Sequence, residues 1–150
     1  MTLDLHNEII KNSRAVIYTQ ENGQRLFLLT QERDGTYTLP GGCKDVEDQD
    51  LLSALHREIK EELGLDLSAC EVNDTGIQKT YETLYINPTS ERYGKDTTIR
   101  LFLIKCSGKP TIKTSPEIKD TQWFNKTDAE KSLTAKHMKE MFLLGVNALN

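Results

Sequence analysis

The sequence has few cysteines and no long hydrophobic run, and each shortage excludes a class of protein. Its 150 residues include three cysteines, Cys43, Cys70 and Cys106, none of which forms a CxxC pair. An odd, scattered set of cysteines indicates neither a disulfide framework nor a zinc site. No segment reaches the roughly 18 apolar residues of a membrane span, and no basic stretch followed by an apolar run opens the chain. We therefore expect a cytoplasmic protein without membrane contact.

Basic charge is also scarce. The chain has 19 Lys and Arg against 23 Asp and Glu, a formal net charge of -4. This balance argues against general nucleic-acid binding through a basic surface. The hydrophobic share of 37% and the charged share of 28% are typical of a soluble globular protein. The length predicts one domain over residues 1–150, and an anionic substrate would need a metal ion or local basic residues.

Turn signals and periodic apolar residues predict a mixture of strands and helices. Asn22-Gly23 predicts a tight hairpin between the first two strands. Thr127 and Glu130 match a capping box, which predicts that a short helix starts there. Apolar residues at helical spacing predict a C-terminal helix packed on the core. They are Met138, Met141, Phe142, Leu143, Val146 and Leu149.

The most informative stretch is an acidic helix that precedes Gly64. Glu58, Glu61 and Glu62 are spaced i, i+3 and i+4, which places them on one helix face. They lie beside an apolar stripe formed by Leu52, Leu55, Ile59 and Leu63. Each like-charged pair costs a helix roughly 0.2 to 0.5 kcal/mol. A hard divalent cation such as Mg2+ or Mn2+ would compensate this repulsion, although a solvated acidic face is the alternative.

A glycine turn, Pro40-Gly41-Gly42, precedes this helix. Glycines tolerate positive φ and allow close backbone approach. A loop of this length could fold back over the helix start, so that a backbone carbonyl joins the carboxylates around a cation.

These residues resemble the box of the Nudix hydrolase family, which is G, five residues, E, seven residues and R-E-apolar-x-E-E-x-G-apolar. The segment from Arg57 to Leu65 matches the second half at every fixed position. The first half departs from the pattern. Counted back from Arg57, the box glutamate falls on Gln49 and the box glycine on Cys43; counted forward from Gly41, the glutamate falls on Glu47. The loop is thus one or two residues longer than the pattern, depending on which glycine is the anchor.

The resemblance implies an α/β fold, an alpha/beta/alpha sandwich with a mixed central sheet and a loop-helix-loop box. It implies a metal-dependent pyrophosphohydrolase that cleaves a nucleoside diphosphate linked to another moiety, by attack of water on phosphorus. The expected partner is a small-molecule nucleotide diphosphate, and many members of the family pair as homodimers. Two alternatives remain open: a non-catalytic nucleotide-binding module on the same fold, and a structural helix stabilised by Ca2+.

The resemblance also implies roles for individual residues. Glu58, Glu61 and Glu62 would bind Mg2+ or Mn2+, and the carbonyl of Gly41 would join them. Arg57 would orient a ligand carboxylate by a fork-shaped pair, with a surface salt bridge as the alternative.

The general base and the substrate contacts are less narrowly predicted. Glu61, Glu117 and Glu91 are the candidates for the base. Tyr81, 16 residues beyond Leu65, resembles the downstream tyrosine of the dinucleoside polyphosphate group and could stack on a base or pack in the sheet. In the polar loop of residues 87–96, Arg92 with Tyr93 and Lys95 could clamp phosphates or keep the loop soluble.

Overall fold

The computed structural model describes residues 9–82 and 84–149, which form a seven-stranded mixed sheet with helices on both faces. The elements are β1 Ile10–Glu21, β2 Gln24–Glu32, β3 Tyr37–Thr38, β4 Gly41–Cys43, α1 Leu51–Leu63, β5 Glu71–Tyr81, β6 Thr97–Lys105, β7 Ile118–Phe124, α2 Lys126–Ser132 and α3 Lys136–Ala148. The main strand order is β3-β2-β1-β6-β5, with β4 paired to β1 and β7 paired to β2. Because β1 and β6 run parallel while the other pairs are antiparallel, the predicted mixed sheet is confirmed.

The predicted hairpin joins the first two strands. Asn22 and Gly23 have φ values of 53° and 77°, and Glu21 pairs with Gln24 across the turn. Two successive positive φ angles define the type I′ turn that suits the twist of paired strands. This part of the fold follows directly from local sequence.

Two hydrophobic clusters cover the two faces of the sheet, which confirms the sandwich. One cluster packs α1 against the sheet through Leu55, Ile59 and Leu63. The other cluster packs α2 and α3 on the opposite face, where Phe142 meets Phe27 edge to face at 5.1 Å between ring centroids. None of the helices within residues 9–82 and 84–149 is long and apolar enough to cross a membrane.

The start of α2 differs from the prediction. The helix begins at Lys126, and the side chain of Asn125 accepts a hydrogen bond of 2.8 Å from the amide of Asp128. Asparagine is among the best N-cap residues, so the predicted short helix is confirmed while the expected capping box at Thr127 and Glu130 is wrong. The C-terminal helix, in contrast, is confirmed as α3, with Met138, Met141, Phe142 and Val146 buried.

The buried face of α1 also differs from the predicted apolar stripe, because it includes Ala54 and leaves out Leu52. Leu52 is 41% exposed, whereas Ala54 is fully buried. The hydroxyl of Ser13 in β1 donates to the carbonyl of Leu51 at 2.6 Å, which fixes the first turn of the helix against the sheet. Ala54, Glu58 and Glu62 follow at intervals of four, so they form one ridge. Two carboxylates therefore point toward the sheet rather than into solvent.

Candidate active site

Caps at both ends fix α1. The carboxylate of Asp50 accepts a hydrogen bond of 2.7 Å from the amide of Ser53. At the other end, Gly64 adopts φ 64°, and its amide donates to the carbonyl of Lys60 at 2.9 Å. These are the standard N-cap and left-handed C-cap arrangements. Because both ends are held, the glutamates of the helix have defined positions relative to the preceding turn.

The two glycines of the predicted turn form strand β4 together with Cys43, and this strand packs against both β1 and α1. Gly41 lies opposite Arg14 and Gly42 lies opposite Ser13. A Cβ at Gly41, whose φ is 140°, would overlap the carbonyl oxygen of Ser13. A Cβ at Gly42 would overlap the carboxyl group of Glu58. The two glycines thus allow the turn to touch the helix carboxylate, as the sequence predicted in outline.

Glu58 and Glu62 bring two carboxyl groups into hydrogen-bond contact. Burial, followed by this hydrogen bond, raises the pKa of Glu62 well above its usual range, while the positive charge of Arg14 opposes the rise. Two ionised carboxylates are both acceptors only, so their contact requires a shared proton or a cation between them. The pair is therefore suited to binding a positive ion.

Arg57 is the centre of an ionic network that joins α1 to the loop before it. Its Nε and Nη2 atoms donate to the two carboxylate oxygens of Asp48 at 2.9 and 2.8 Å. Nη2 also donates to the carbonyl of Cys43 at 3.1 Å, and Nη1 donates to Glu58 at 3.1 Å and Glu61 at 3.2 Å. The guanidinium thus orients two of the predicted ligand carboxylates from a position fixed by the loop.

Asp48 is the functional residue that the sequence reasoning missed. Its side chain is 7% exposed, and its hydrogen bonds to Arg57 lower its pKa to about 2. Counting six residues forward from Gly42 would have found it, because that anchor puts the loop carboxylate on Asp48 and leaves one extra residue before Arg57. Neither Glu47 nor Gln49, the two positions considered from sequence, makes this bidentate pair.

The predicted set of ligands is brought together only in part. Glu58 and Glu62 are in contact, whereas the side chain of Glu61 is 61% exposed and paired with Arg57. Within the described ranges 9–82 and 84–149, no three His, Cys, Asp or Glu side chains are arranged to hold a metal ion. Glu117 is exposed, two residues beyond Ser115, whose amide donates to the carbonyl of Glu62 at 2.9 Å. The glutamate assignments therefore stay predictions.

A cleft of about 420 Å3 lies beside the glycine turn on the α3 face of the sheet. Arg14 extends into it from β1, with Nε donating to Asn12 and Nη1 to the carbonyl of Leu39, both at 2.8 Å. Burial and the charge of Arg14 lower the pKa of His137, which favours a neutral imidazole. The buried hydroxyl of Thr97 has no hydrogen-bond partner among the residues described. Sequence reasoning overlooked this cleft, although polar residues at buried strand positions, such as Asn12, are its signal.

Tyr81 lines a neighbouring cavity, which shares Leu84 and His137 with this cleft, and its contacts tie β5 to α3. Its hydroxyl donates to Glu140 at 2.7 Å, and Lys79 donates to the same oxygen at 2.9 Å. Its ring centroid is 5.6 Å from that of His137. The predicted stacking of Tyr81 on a base stays a prediction, and the structure adds a second role, which is to hold α3 and its histidine against the sheet.

Comparison with known proteins defines the class of this fold and site. The NUDIX domain matches residues 10–144. The chain therefore belongs to the Nudix family, whose members are hydrolases acting on phosphoric anhydride bonds and generally use a divalent metal ion. The prediction that the protein is a hydrolase acting on phosphoric anhydride bonds is therefore confirmed. No curated protein matches the sequence significantly.

Solved structures of the same fold include two enzymes and a NUDIX domain bound to ADP ribose. The chain resembles a C. elegans Ap4A hydrolase in a binary complex, with 24% identity and a TM-score of 0.77 over 93% of this chain and 97% of that one. The chain also resembles an E. coli dihydroneopterin triphosphate pyrophosphohydrolase, with 20% identity and a TM-score of 0.75 over 91% of this chain and 95% of that one. The NUDIX domain of Shewanella oneidensis NrtR complexed with ADP ribose has 18% identity to this chain and a TM-score of 0.72, over 96% of this chain and 90% of that one. At these identities the similarity shows the fold.

Removing the loop carboxylate should loosen the network. We expect Asp48→Asn to reduce the free energy of unfolding by about 1 to 2 kcal/mol, because the charge-assisted fork to Arg57 is lost. Denaturant unfolding measures this change. Since the folded-state pKa lies below the usual value of about 3.9, the difference should shrink as the pH falls from about 5 toward 2. Asp45→Asn is the matched control, since Asp45 is exposed and 3.5 Å from Arg57; an equal loss there would contradict the assignment.

The contact between the two glutamates predicts a pH dependence. A carboxyl whose pKa is raised on folding destabilises the folded state as the pH rises above its usual value of about 4.3. In the presence of a chelator, Glu62→Gln should therefore have a higher melting temperature than the natural chain at pH 8, with a smaller gap at pH 5. Glu71→Gln, at an exposed strand position, should show no such widening. A gap that stays constant between the two pH values would argue against the contact.

The two roles of Tyr81 can be separated. Tyr81→Phe keeps the ring and removes the hydrogen bond to Glu140, so we expect the free energy of unfolding to fall by about 1 kcal/mol with the Michaelis constant unchanged. Tyr81→Ala should also raise the Michaelis constant if the ring stacks on a base. Tyr93→Phe, in the exposed loop, is the control for loss of a hydroxyl. Full stability in Tyr81→Phe would exclude the role in holding α3.

Proposed function

We propose that this protein is a metal-dependent pyrophosphohydrolase that cleaves a nucleoside diphosphate linked to another moiety. The observation that carries the proposal is the contact between the carboxyl groups of Glu58 and Glu62, packed against the backbone of Gly42. A structural role alone does not require two carboxyls to be pressed together beside a turn without side chains. A cation site would account for it, because a bound cation offsets the repulsion between its ligands.

The residues present fit Mg2+, with Mn2+ as an alternative. Both ions prefer oxygen ligands, and the carboxylates of Glu58, Glu61 and Glu62 with the carbonyl of Gly41 supply oxygen only. The two half-buried carboxyls of Glu58 and Glu62 form the fixed part of this set. When bound, the ion neutralises charge on the diphosphate and polarises the attacking water.

The remaining catalytic roles fall to residues around this pair. Arg57 holds Glu58 and Glu61 through separate hydrogen bonds, so it is a positioning residue rather than a phosphate ligand. Glu61, which is exposed and next to the half-buried carboxyls, is our candidate for the general base that takes the proton from the attacking water. Glu117 is the second candidate, because its segment crosses the C-terminal end of α1.

The cleft on the α3 face suits the nucleoside end of the substrate. Its walls combine the rings of Tyr37 and Tyr85 with the apolar side chains of Ile99 and Met138. A neutral His137 can both donate and accept a hydrogen bond, as the edge of a nucleobase requires. Arg14 lies opposite Gly41, so a nucleoside in the cleft would have its phosphates directed toward the glycine turn. Nucleotide-like compounds in the names of similar structures support this substrate class.

The proposal is tested by turnover of a panel of nucleoside diphosphate compounds with Mg2+, Mn2+ or a chelator. We expect hydrolysis that requires a divalent ion and falls at least about a hundredfold in Glu58→Gln, Glu61→Gln and Glu62→Gln, because each change removes a charged oxygen at the reacting centre. Release of nucleotide and phosphate, resolved by chromatography, measures both the rate and the bond that is cleaved.

Two controls make the result specific. Glu71→Gln removes an exposed glutamate outside the site and should keep full activity. Glu117→Gln separates the two candidates for the base: a loss as large as in Glu61→Gln would move that role to Glu117. Nucleotide binding without turnover of any compound would instead favour the non-catalytic binding module.

A further inference from the structure

Two of the three cysteines meet on the α1 face of the sheet. The sulfur atoms of Cys70 and Cys106 lie 3.6 Å apart, although the residues are 36 positions apart in the chain. Both are free thiols. The sulfur of the third cysteine, Cys43, instead contacts the side chains of Asn12 and Tyr85. We call Cys70 and Cys106 the thiol pair, and it is a contact that the scattered cysteines of the sequence did not predict.

Strand register places the thiol pair. Glu71 at the start of β5 is paired with Lys105 at the end of β6 in an antiparallel ladder. Cys70 and Cys106 are the next residues outward on the two chains, and the backbone of Cys70 is extended, with φ -118° and ψ 161°. Opposite residues on antiparallel strands have Cα atoms about 4.5 to 5.5 Å apart, and a disulfide spans Cα separations of about 4.4 to 6.8 Å. The register therefore allows a covalent bond between the two sulfurs without a shift of either strand.

Cys106 is the fixed and buried member of the pair. It is 4% exposed. Its amide donates to the carbonyl of Tyr18 at 2.9 Å, and its carbonyl accepts a hydrogen bond of 2.9 Å from the hydroxyl of Thr19. Burial, followed by the hydrogen bond with Cys70, raises the pKa of Cys106 to about 12. This sulfur is therefore protonated and shielded from a dissolved oxidant.

Cys70 is the accessible member of the pair. It is half-buried and follows the short turn Leu67–Ala69. It also precedes an edge strand, since β5 is hydrogen-bonded to β6 alone among the described residues. An accessible thiol reacts with a peroxide to give a sulfenic acid, which condenses with a neighbouring thiol to form a disulfide. Cys70 thus has its resolving partner already in contact.

We propose that Cys70 and Cys106 are a site of reversible oxidation, at which a peroxide converts the thiol pair into a disulfide. The sulfur of Cys70 attacks one oxygen of hydrogen peroxide; an S–O bond forms, the O–O bond breaks, and the second oxygen leaves as water with the Cys70 proton. The sulfur of Cys106 then attacks the sulfenic acid; the S–S bond forms, the S–O bond breaks, and the oxygen leaves as a second water with the Cys106 proton. The two thiols lose two electrons, which reduce one peroxide to two water molecules.

The disulfide would tie the chain that follows α1 to the end of β6. Both members of the thiol pair pack in the hydrophobic cluster that contains Leu55, Ile59 and Leu63 of α1. The ring closed by the bond contains β5, β6 and the chain between them. Closing such a ring restricts the unfolded chain and stabilises the fold. The oxidised protein should therefore melt at a higher temperature, and a dithiol reductant should restore the reduced form.

The test is oxidation of the natural chain with a small excess of hydrogen peroxide, followed by alkylation under denaturing conditions and mass spectrometry of the peptides. We expect a peptide crosslinked through Cys70 and Cys106, with Cys43 alkylated. We also expect a rise in melting temperature of at least about 5 °C that dithiothreitol reverses. A crosslink to Cys43, a crosslink between two chains, or oxidation of Cys70 to a sulfinic acid without a crosslink would overturn the proposal.

Three single variants separate the roles of the cysteines. Cys106→Ser leaves Cys70 without a resolving thiol, so its sulfenic acid should persist and be labelled by dimedone. Cys70→Ser leaves only the buried sulfur of the pair, so Cys106 should be labelled about tenfold more slowly or not at all. Cys43→Ala is the matched control for loss of a cysteine, and it should keep both the crosslink and the rise in melting temperature.

The variant at the half-buried position keeps the test valid if Cys106→Ser fails to fold. Peroxide should not raise the melting temperature of Cys70→Ser, because a disulfide of the thiol pair is no longer available to it. A rise in Cys70→Ser as large as in the natural chain would overturn the proposal, as would equal dimedone labelling of Cys70 and Cys106 in the two serine variants.

Discussion

The packing of the Glu58 carboxyl against the backbone of Gly42, with the Glu62 carboxyl beside it, is the constraint on which the site depends. Glu58 can approach the backbone at Gly42 because that residue has no Cβ. Glu62 then reaches Glu58 from one helical turn further along the same ridge. Burial makes this contact unfavourable for two negative charges. The rest of the box supplies the positive charge and the fixed geometry that this contact needs.

The surrounding structure works to hold that contact in place. The caps at Asp50 and Gly64 fix the length of α1, and Ser13 ties its first turn to the sheet. Arg57 then couples the helix to the loop through Asp48, whose carboxylate satisfies two of its donors. The site is therefore assembled from a helix, a strand and a loop that are each anchored separately. This is the preorganisation that electrostatic catalysis requires.

Two cavities adjoin this site. One cavity is lined by Arg14, Tyr85 and His137 and the other by Cys43, whose sulfur lies 3.3 Å from the hydroxyl of Tyr85. Arg57 links Glu61 of α1 to the carbonyl of Cys43, and the charge of Arg14 acts on Glu62. The side chains around the predicted ligands therefore belong to two separate cavities.

Local sequence determined the turn at Asn22-Gly23, the C-terminal helix and the acidic helix, because a φ preference or a helical period acts over a few residues. It also determined that three glutamates would share a helix, and with Arg57 to Leu65 it determined the family. Only the tertiary structure decided which carboxyls meet, since Glu58 lies against Gly42 and beside Glu62 while Glu61 is exposed and paired with Arg57. The same holds for Asp48 and the cleft residues Arg14, Thr97 and His137, which are distant in sequence and are brought together by strand register and helix packing.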